Sequence, residues 1–117
     1  MKYHDKKIGF ASKLVPLVKS GEKTLTYRLG DKWNFLKVGD RVMTDDSGSG
    51  EVFGELEITL KETGTFKTLR DEREGHEVYR SEEERRETFK KYYGRDIADD
   101  EPALILGFKF FPLVAIP

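Results

Sequence analysis

The sequence predicts an α+β fold that is mostly β: a curled, largely antiparallel barrel of five or six strands with two short helices. The clearest strand signal is at residues 52–61, where apolar side chains alternate with mostly polar ones, as in a sheet that buries one face. A second alternation, at 103–110, predicts another buried strand. Because short strands outnumber helices within 117 residues, we expect one curled sheet in a single domain, 1–117.

Both predicted helices are defined by the residues at their ends. The first, at about 11–19, has an apolar stripe and stops before Gly21, since glycine readily takes the left-handed conformation that ends helices. The second begins with a capping box, in which Ser81 is followed three residues later by Glu84, and it ends at Gly94. The acidic run at its start therefore predicts helix initiation rather than a metal site.

The most informative stretch is the octet Gly-Glu-Lys-Thr-Leu-Thr-Tyr-Arg, which begins at Gly21. A strand here would turn its two apolar residues toward the core, and would place Thr24, Thr26 and Arg28 together on a surface or in a cleft. Lys23 can join Thr26 only if it lies in the turn after the glycine, before the strand begins. A strand with a solvated polar face is the alternative interpretation of the same pattern.

Composition excludes several classes of protein. Hydrophobic and charged residues each account for 37% of the sequence and aromatic residues for 12%, which indicates a folded domain rather than a disordered chain. The absence of cysteine excludes a disulfide framework and a cysteine-ligated metal. No apolar run approaches the ~18 residues of a membrane span, and the first residues do not resemble a signal peptide. We therefore expect a cytoplasmic protein with no membrane partner.

The net charge of −1 hides an uneven distribution of charge. Residues 1–37 hold nine Lys or Arg and three acids, whereas residues 71–101 hold seven basic and twelve acidic residues. The basic segment contains the octet and is suited to facing phosphate, while the acidic segment would repel polyanions. A pI near 6.2 is far from that of a dedicated duplex-binding protein.

Few groups in the chain could carry catalysis. It has no glycine-rich phosphate loop, no His-Glu-x-x-His motif and no cysteine nucleophile. Glu74, His76 and Glu77 are possible metal ligands by residue type, but their positions along a loop make a poor cage. We therefore expect no metal and no cofactor.

The remaining chemistry is that of Lys23, Thr26 and a carboxylate. A threonine hydroxyl attacks only after a base has taken its proton. A lysine can be that base if burial and a neighbouring positive charge lower its pKa from about 10.4 toward neutrality. A carboxylic acid could then pass a proton to a leaving nitrogen.

The octet, read as Gly-x-Lys-Thr-x-Thr-x-Arg after a short apolar helix, resembles the signature of the ASCH domain family. Members of that family are small β-barrel proteins related in fold to PUA domains. Further matches follow in order: Lys37-Val38-Gly39-Asp40 before a strand, Glu74-Gly75-His76 before a helix, Tyr93-Gly94 at its end, and a last apolar strand ending near Phe110. The resemblance covers about residues 8–111 and implies a PUA-like curled β-barrel.

Some small ASCH members hydrolyse the amide of N4-acylated cytosine nucleosides, using a lysine, a threonine and a glutamate. By this resemblance Lys23 is the base, Thr26 the nucleophile and Glu74 the proton carrier, with Glu77 as the alternative glutamate. The substrate-binding residues expected around them are Thr24, Arg28, Lys32 and Trp33. Arg28 would orient a ligand oxygen or phosphate, whereas Trp33 lies among apolar residues and is also explained as core.

Other ASCH members are thought to bind or cleave RNA, which leaves two alternatives open. A catalytically silent module would bind single-stranded RNA through Lys23, Arg28, Lys32 and Trp33. A metal-independent ribonuclease is the second alternative. The expected partner is therefore a modified cytidine nucleoside or single-stranded RNA, and the expected assembly is a monomer or a weak dimer.

Overall fold

A five-stranded sheet, curled into a half-barrel, forms the frame of the protein. The computed structural model describes residues 3–113. The strands are β1 (Tyr3–Phe10), β2 (Leu25–Leu29), β3 (Arg41–Asp46), β4 (Val52–Thr65) and β5 (Pro102–Pro112). They lie in the order β1-β3-β4-β5-β2. All neighbouring strands are antiparallel except β1 and β3, which run parallel.

Two helices complete the fold, α1 (Val15–Ser20) and α2 (Glu82–Tyr93). Of two single 3₁₀ turns, Ser12–Leu14 directly precedes α1 and Phe66–Thr68 directly follows β4. The prediction of a mostly-β fold with five or six strands and two short helices is therefore confirmed, and the architecture is compatible with the predicted PUA-like fold. None of the helices among residues 3–113 is long and apolar enough to cross a membrane.

The ends of both helices follow from the sequence. Gly21 ends α1 in the left-handed conformation, with φ of 82°. Ser81 begins α2, because its hydroxyl accepts a hydrogen bond from the Glu84 N–H at 3.1 Å. Only this half of the predicted capping box forms, since the Glu84 carboxylate pairs instead with Arg80. Gly94 ends α2 with φ of 70°.

The core consists of two clusters of buried side chains, on opposite faces of the sheet. The barrel cluster lies inside the curl and contains Ile8, Phe10, Val15, Val18, Trp33, Leu36, Val42, Leu56, Ile58, Leu104, Leu106 and Phe108. The helix cluster lies under α2 and contains Leu25, Tyr27, Leu29, Phe66, Leu69, Tyr79, Phe89, Ile97, Ala103 and Ile105. Strand β5 contributes to both, which explains why it is apolar on both faces.

Strands β1 and β2 are the two edges of the sheet, and a seam separates them. Arg28 of β2 spans this seam, since its Nη2 donates a hydrogen bond to the Gly9 carbonyl of β1 at 2.8 Å. The side chains that alternate along β2 therefore face different surroundings. Leu25, Tyr27 and Leu29 enter the helix cluster.

Candidate functional site

A cavity of about 330 Å³ lies at the seam, along the edge of β2. Side chains from both faces of β2 line it, and the end of β1 forms part of its opposite wall. Aromatic rings form much of the wall: Phe10, Tyr27, Trp33, His76, Tyr79, Phe89, Tyr92 and Tyr93. Its charged side chains are Lys23, Arg28, Lys32 and Glu77. The volume and lining are typical of a small-molecule site, mostly apolar with a few converging polar groups.

Lys23 enters the cavity from the turn between α1 and β2. Gly21 ends the helix and β2 begins only at Leu25. Because Lys23 lies between them, outside the strand, its side chain need not follow the alternation of β2. Its N–H donates to the Leu17 carbonyl at 3.0 Å, which fixes the turn. The side chain therefore lines the same cavity as Thr26, and it is only 3% exposed.

A glutamate from the loop before α2 meets this lysine, and it is Glu77. The Lys23 Nζ donates to Glu77 Oε2 at 2.5 Å and to the Leu25 carbonyl at 2.8 Å. Glu74 is exposed and does not line the cavity. Glu74, the glutamate favoured by the sequence analysis, therefore lies outside the cavity, and its alternative Glu77 contacts Lys23.

Glu77 rather than Glu74 contacts Lys23 because of how the loop before α2 is attached to β2. The Gly75 carbonyl accepts hydrogen bonds from the Thr24 and Leu25 N–H groups, at 2.8 and 3.1 Å. Gly75 has φ of 87°, and a Cβ there would lie 2.2 Å from Thr24 Oγ1, so glycine is required. This attachment leaves Glu74 outside and brings Glu77, two residues after the glycine, to Lys23.

Burial and charge shift the titration of these groups. Burial lowers the pKa of Lys23 below its ordinary 10.5, although attraction to Glu77 opposes the shift. For Glu77, burial by itself would raise the pKa, but attraction to Lys23 and His76 outweighs burial, so the pKa lies below 4.5. As an ammonium and a carboxylate the pair has no net charge. The ammonium would then be the costlier half to bury, because 3% of the Lys23 side chain is exposed against 29% of that of Glu77.

His76 is a member of this cluster that the sequence analysis did not place in the active site. Its ring stacks on Tyr27, with centroids 3.9 Å apart and planes inclined by 14°. Its Nδ1 lies 2.9 Å from the Glu77 carbonyl and 3.7 Å from Glu77 Oε2. Burial, with repulsion from Lys23, lowers the pKa of His76 to about 4, so the imidazole is neutral at physiological pH.

Thr26 and Arg28 of β2 line the same cavity. Thr26 is 4% exposed, and its Oγ1 accepts a hydrogen bond from Arg28 Nε at 3.0 Å. The guanidinium also lies 5.2 Å from the centroid of the Phe10 ring. Arg28 is therefore held by β1 and Thr26, and is not simply a free ligand for substrate.

The other residues predicted to bind substrate have separate positions. Thr24 is exposed and does not line the cavity, because it precedes β2 and its hydroxyl lies against Gly75. Lys32 is exposed at the rim, with its Nζ 5.2 Å from the Trp33 ring centroid. Trp33 is 5% exposed and belongs to the barrel cluster, although it also lines the cavity.

Tyr92 and Tyr93 of α2 also line the cavity and were not predicted there. Their sequence pattern indicates only a helix stripe, so nothing local distinguishes them from core residues. Both are partly exposed, and the Tyr93 hydroxyl accepts a hydrogen bond from the Leu29 N–H at 2.9 Å. Among the residues that the structure describes, no group of three or more His, Asp or Glu side chains could hold a metal ion.

Comparison with known proteins identifies the fold. No protein-family model matches the sequence, and no curated protein matches it. Protein EF3133 from Enterococcus faecalis V583, of the family model DUF984, has a TM-score of 0.69 at 20% identity, over 92% of this chain and 77% of that one. The hypothetical protein PH0355 has a TM-score of 0.68 at 19% identity, over 95% of this chain and 100% of that one.

A third solved structure with a similar fold is that of an ASCH domain. The ASCH domain from Lactobacillus crispatus JV V101 has a TM-score of 0.60 at 16% identity, over 93% of this chain and 79% of that one. At these identities the likeness is one of architecture rather than of activity. The sheet order, the two helices and the likeness to these structures agree, and the chain therefore has the ASCH-domain fold.

Proposed function

We propose that this protein hydrolyses the N4-acyl group of cytidine-type nucleosides. In this proposal Thr26 is the nucleophile, Lys23 the base and Glu77 the proton carrier. The observation that carries it is the partly buried contact of Lys23 with Glu77, 2.5 Å long, in a cavity that Thr26 also lines. A buried amine beside a carboxylate and a hydroxyl is the set of groups that amide hydrolysis by a threonine needs.

The shape of the cavity supports a planar, partly polar ligand. Its volume of about 330 Å³ lies at the lower end of the usual range for small-molecule sites. The aromatic walls offer faces on which a nucleobase can stack, and such stacking is worth about 1–3 kcal/mol per base. Tyr92 and Tyr93 stand where the cavity meets solvent, 49% and 38% exposed. The ribose would lie at that end, because it needs water or polar partners.

The proposed reaction uses one proton shared by Lys23 and Glu77. A Lys23 ammonium beside a Glu77 carboxylate holds as many protons as an amine beside a carboxylic acid, and transfer along their hydrogen bond converts one into the other. The ammonium and carboxylate form is costly to bury, so the amine and carboxylic acid form is accessible to the enzyme. In that second form Lys23 is a base and Glu77 is an acid.

The first half of the reaction releases the nucleoside. Thr26 Oγ1 bonds to the acyl carbon while its proton passes to the Lys23 amine. The carboxylic acid of Glu77 gives its proton to N4 as the carbon–nitrogen bond breaks. Cytidine leaves, and an ester on Thr26 remains beside a Lys23 ammonium and a Glu77 carboxylate.

The second half restores the enzyme. Water attacks the ester and gives one proton to Glu77, while the departing Thr26 oxygen takes a proton from Lys23. The product is the free carboxylic acid, and the pair returns to an amine and a carboxylic acid. Arg28 assists both halves, because its hydrogen bond to Thr26 Oγ1 stabilises negative charge on that oxygen and leaves the hydroxyl proton directed elsewhere.

The test is to incubate the purified protein with N4-acetylcytidine and to follow cytidine and acetate by chromatography. We expect the two products in equal amounts, and Thr26→Ala should slow their release at least about a hundredfold. Thr24→Ala is the matched control, since Thr24 is exposed and outside the cavity, and it should change the rate less than about twofold. No cytidine from the wild-type protein would rule out the proposed activity.

Binding of single-stranded RNA without hydrolysis is a second candidate, and the rim of the cavity favours it. Exposed Lys32 lines the same cavity as the partly exposed rings of Tyr92 and Tyr93, which combines a phosphate contact with stacking surfaces. In that case affinity for oligonucleotides should fall steeply with salt. Lys32→Met should reduce the slope of log affinity against log salt concentration by about one, as expected for the loss of one phosphate contact. A salt-independent interaction would exclude this candidate.

A further inference from the structure

We infer that His76 makes the cavity specific for amides that carry an N–H, because its Nε2 accepts a hydrogen bond from that group. The inference rests on the proposed function and defines more narrowly which substrates the same cavity takes. It assigns His76 as a specificity-determining residue, distinct from the groups that move protons in the reaction.

The tautomer of His76 follows from the partner of Nδ1. The Glu77 carbonyl, 2.9 Å from Nδ1, can only accept a hydrogen bond, so Nδ1 must carry the hydrogen. Glu77 Oε2, 3.7 Å away, favours the same position of the proton. In a neutral imidazole the other nitrogen is then bare, and Nε2 is an acceptor.

The packing of the ring determines which part of it can meet a ligand. Tyr27 covers one face of the imidazole at 3.9 Å, and Tyr79 lies 5.7 Å away at an angle of 43°. The edge that carries Nδ1 is occupied by the backbone of Glu77. His76 nevertheless lines the cavity, which leaves its second face and the edge with Nε2 to do so. Within residues 3–113, Nε2 has no hydrogen-bond partner, whereas Nδ1 has one.

The charged groups that line the cavity do not duplicate this acceptor. Lys23 and Arg28 are donors in their charged forms. Glu77 Oε2 already accepts from Lys23, and in the proposed reaction Glu77 donates to the leaving nitrogen. Next to these charged groups, His76 therefore offers a neutral acceptor for an amide N–H.

An acceptor at this place distinguishes classes of amide. A secondary amide, such as that of N4-acetylcytidine, carries one N–H and satisfies Nε2. A tertiary amide or an ester carries none, so a buried acceptor would lose its water without a replacement partner. Sites built to bond a polar hydrogen reject analogues that lack it for this reason.

The experiment compares N4-acetylcytidine with N4-acetyl-N4-methylcytidine, in which a methyl replaces the amide hydrogen. We expect the wild-type protein to prefer the first in kcat/KM. His76→Phe keeps an aromatic ring against Tyr27 but has no acceptor, and it should reduce this preference about tenfold, mainly by raising KM for the secondary amide. His76→Gln places an amide oxygen near the position of Nε2 and should restore part of the preference.

Because the added methyl is also bulky, the variants separate sterics from hydrogen bonding. Phenylalanine is no smaller than histidine, so it cannot relieve a clash with the methyl. An unchanged preference in His76→Phe would overturn the inference, as would an equal loss in His76→Phe and His76→Gln.

Two measurements without turnover keep this inference separable from the proposed activity. Titration calorimetry of both nucleosides with the Thr26→Ala protein, in which turnover is slow under the proposed function, tests the same preference as a ratio of affinities. Failure of this protein to bind N4-acetylcytidine would overturn the inference. Nitrogen-15 NMR of labelled histidine reports the tautomer, and the His76→Phe spectrum separates His76 from His4. A protonated Nε2 would also overturn it. Preferential binding without hydrolysis would support the His76 inference while contradicting the proposed activity.

Discussion

At the scale of single residues, the proposed chemistry depends most directly on Glu77, because it contacts Lys23 at 2.5 Å. Glu77→Gln keeps the shape of the side chain but cannot carry a proton. We expect it to slow release of cytidine from N4-acetylcytidine at least about a hundredfold. Glu74→Gln is the matched control, since Glu74 is exposed on the same loop, and it should act within about twofold of the wild type. Equal losses in the two variants would contradict the choice of glutamate.

His76 should make the protein less stable as the pH falls. Its pKa is about 4 in the folded chain against an ordinary 6.5, so the unfolded chain binds the proton more readily. The contribution of the neutral ring is complete above about pH 6.5, and it is lost as the pH falls toward 4. The difference between the two pKa values corresponds to about 3 kcal/mol.

Denaturant unfolding of the wild-type protein and of His76→Phe between pH 4 and 7 measures this effect. The variant should lose less stability over that range, because it has no imidazole to protonate. Glu77 acts in the same direction but below its ordinary pKa of 4.5, so its contribution appears at the acid end of the range. Identical pH profiles for the two proteins would contradict the buried neutral ring.

At the scale of elements, α2 is held on the sheet by Arg85. This side chain is 2% exposed, and its Nη1 donates to the carbonyls of Phe66 and Leu69. Its Nε lies 3.2 Å from Asp71 Oδ1, close enough for an ion pair, although the two are not aligned for a hydrogen bond. The helix is thus attached to the turn that follows β4, and this attachment sets the position of the loop between them.

Arg85→Met should therefore lower the free energy of unfolding by about 3 kcal/mol, because two carbonyls and a carboxylate lose their cationic partner. Arg80→Met is the control. Arg80 is 90% exposed and pairs with Glu84 at the helix start, so its loss should cost less than about 1 kcal/mol. Urea unfolding followed by circular dichroism measures both. A similar effect of the two substitutions would mean that Arg85 does not anchor the helix.

The elements themselves could be predicted because their signals are local. The alternations at 52–61 and 103–110 became β4 and β5, both a few residues longer than predicted. The burial of Ala103 and Ile105 could not be predicted from alternation, because it requires α2 to cover the second face of β5. Thr24 was expected in the cleft by the same alternation, but β2 begins one residue later and Thr24 is exposed.

The site could be predicted only in part, for a similar reason. The placement of Lys23 beside the cavity follows from Gly21, which ends α1 and frees the next residues from the strand. The choice of Glu77 over Glu74 depends on hydrogen bonds between Gly75 and the start of β2, fifty residues away in the chain. Contacts between residues so far apart in the chain cannot be predicted from a short stretch of sequence. The role of His76 depends on the same loop.

At the scale of the whole molecule, the cavity lies where the two core clusters meet. Phe10 and Trp33 of the barrel cluster line it, as do Tyr27, Leu29 and Phe89 of the helix cluster. Packing on both faces of the sheet therefore holds the walls, whereas no strand pairing within residues 3–113 closes the seam between β1 and β2. The position of β1 relative to β2 depends instead on individual side chains.

Arg28 is the side chain that spans this seam, through its hydrogen bond to the Gly9 carbonyl at 2.8 Å. In Arg28→Met we expect the free energy of unfolding to fall by about 1–3 kcal/mol, because a partly buried carbonyl loses a charged donor. In this variant the amide protons of β1 should exchange faster than in the wild-type protein, and the increase should be larger than in β4 and β5. The reason is that the strand at the seam opens locally before the centre of the sheet does. Hydrogen exchange measured strand by strand tests this.

Lys32→Met is the control, because Lys32 lines the same cavity but is exposed at its rim, and it should leave the exchange of β1 unchanged. If β1 exchanged at the wild-type rate in Arg28→Met, then the barrel cluster alone would hold that edge, and Arg28 would act only on Thr26.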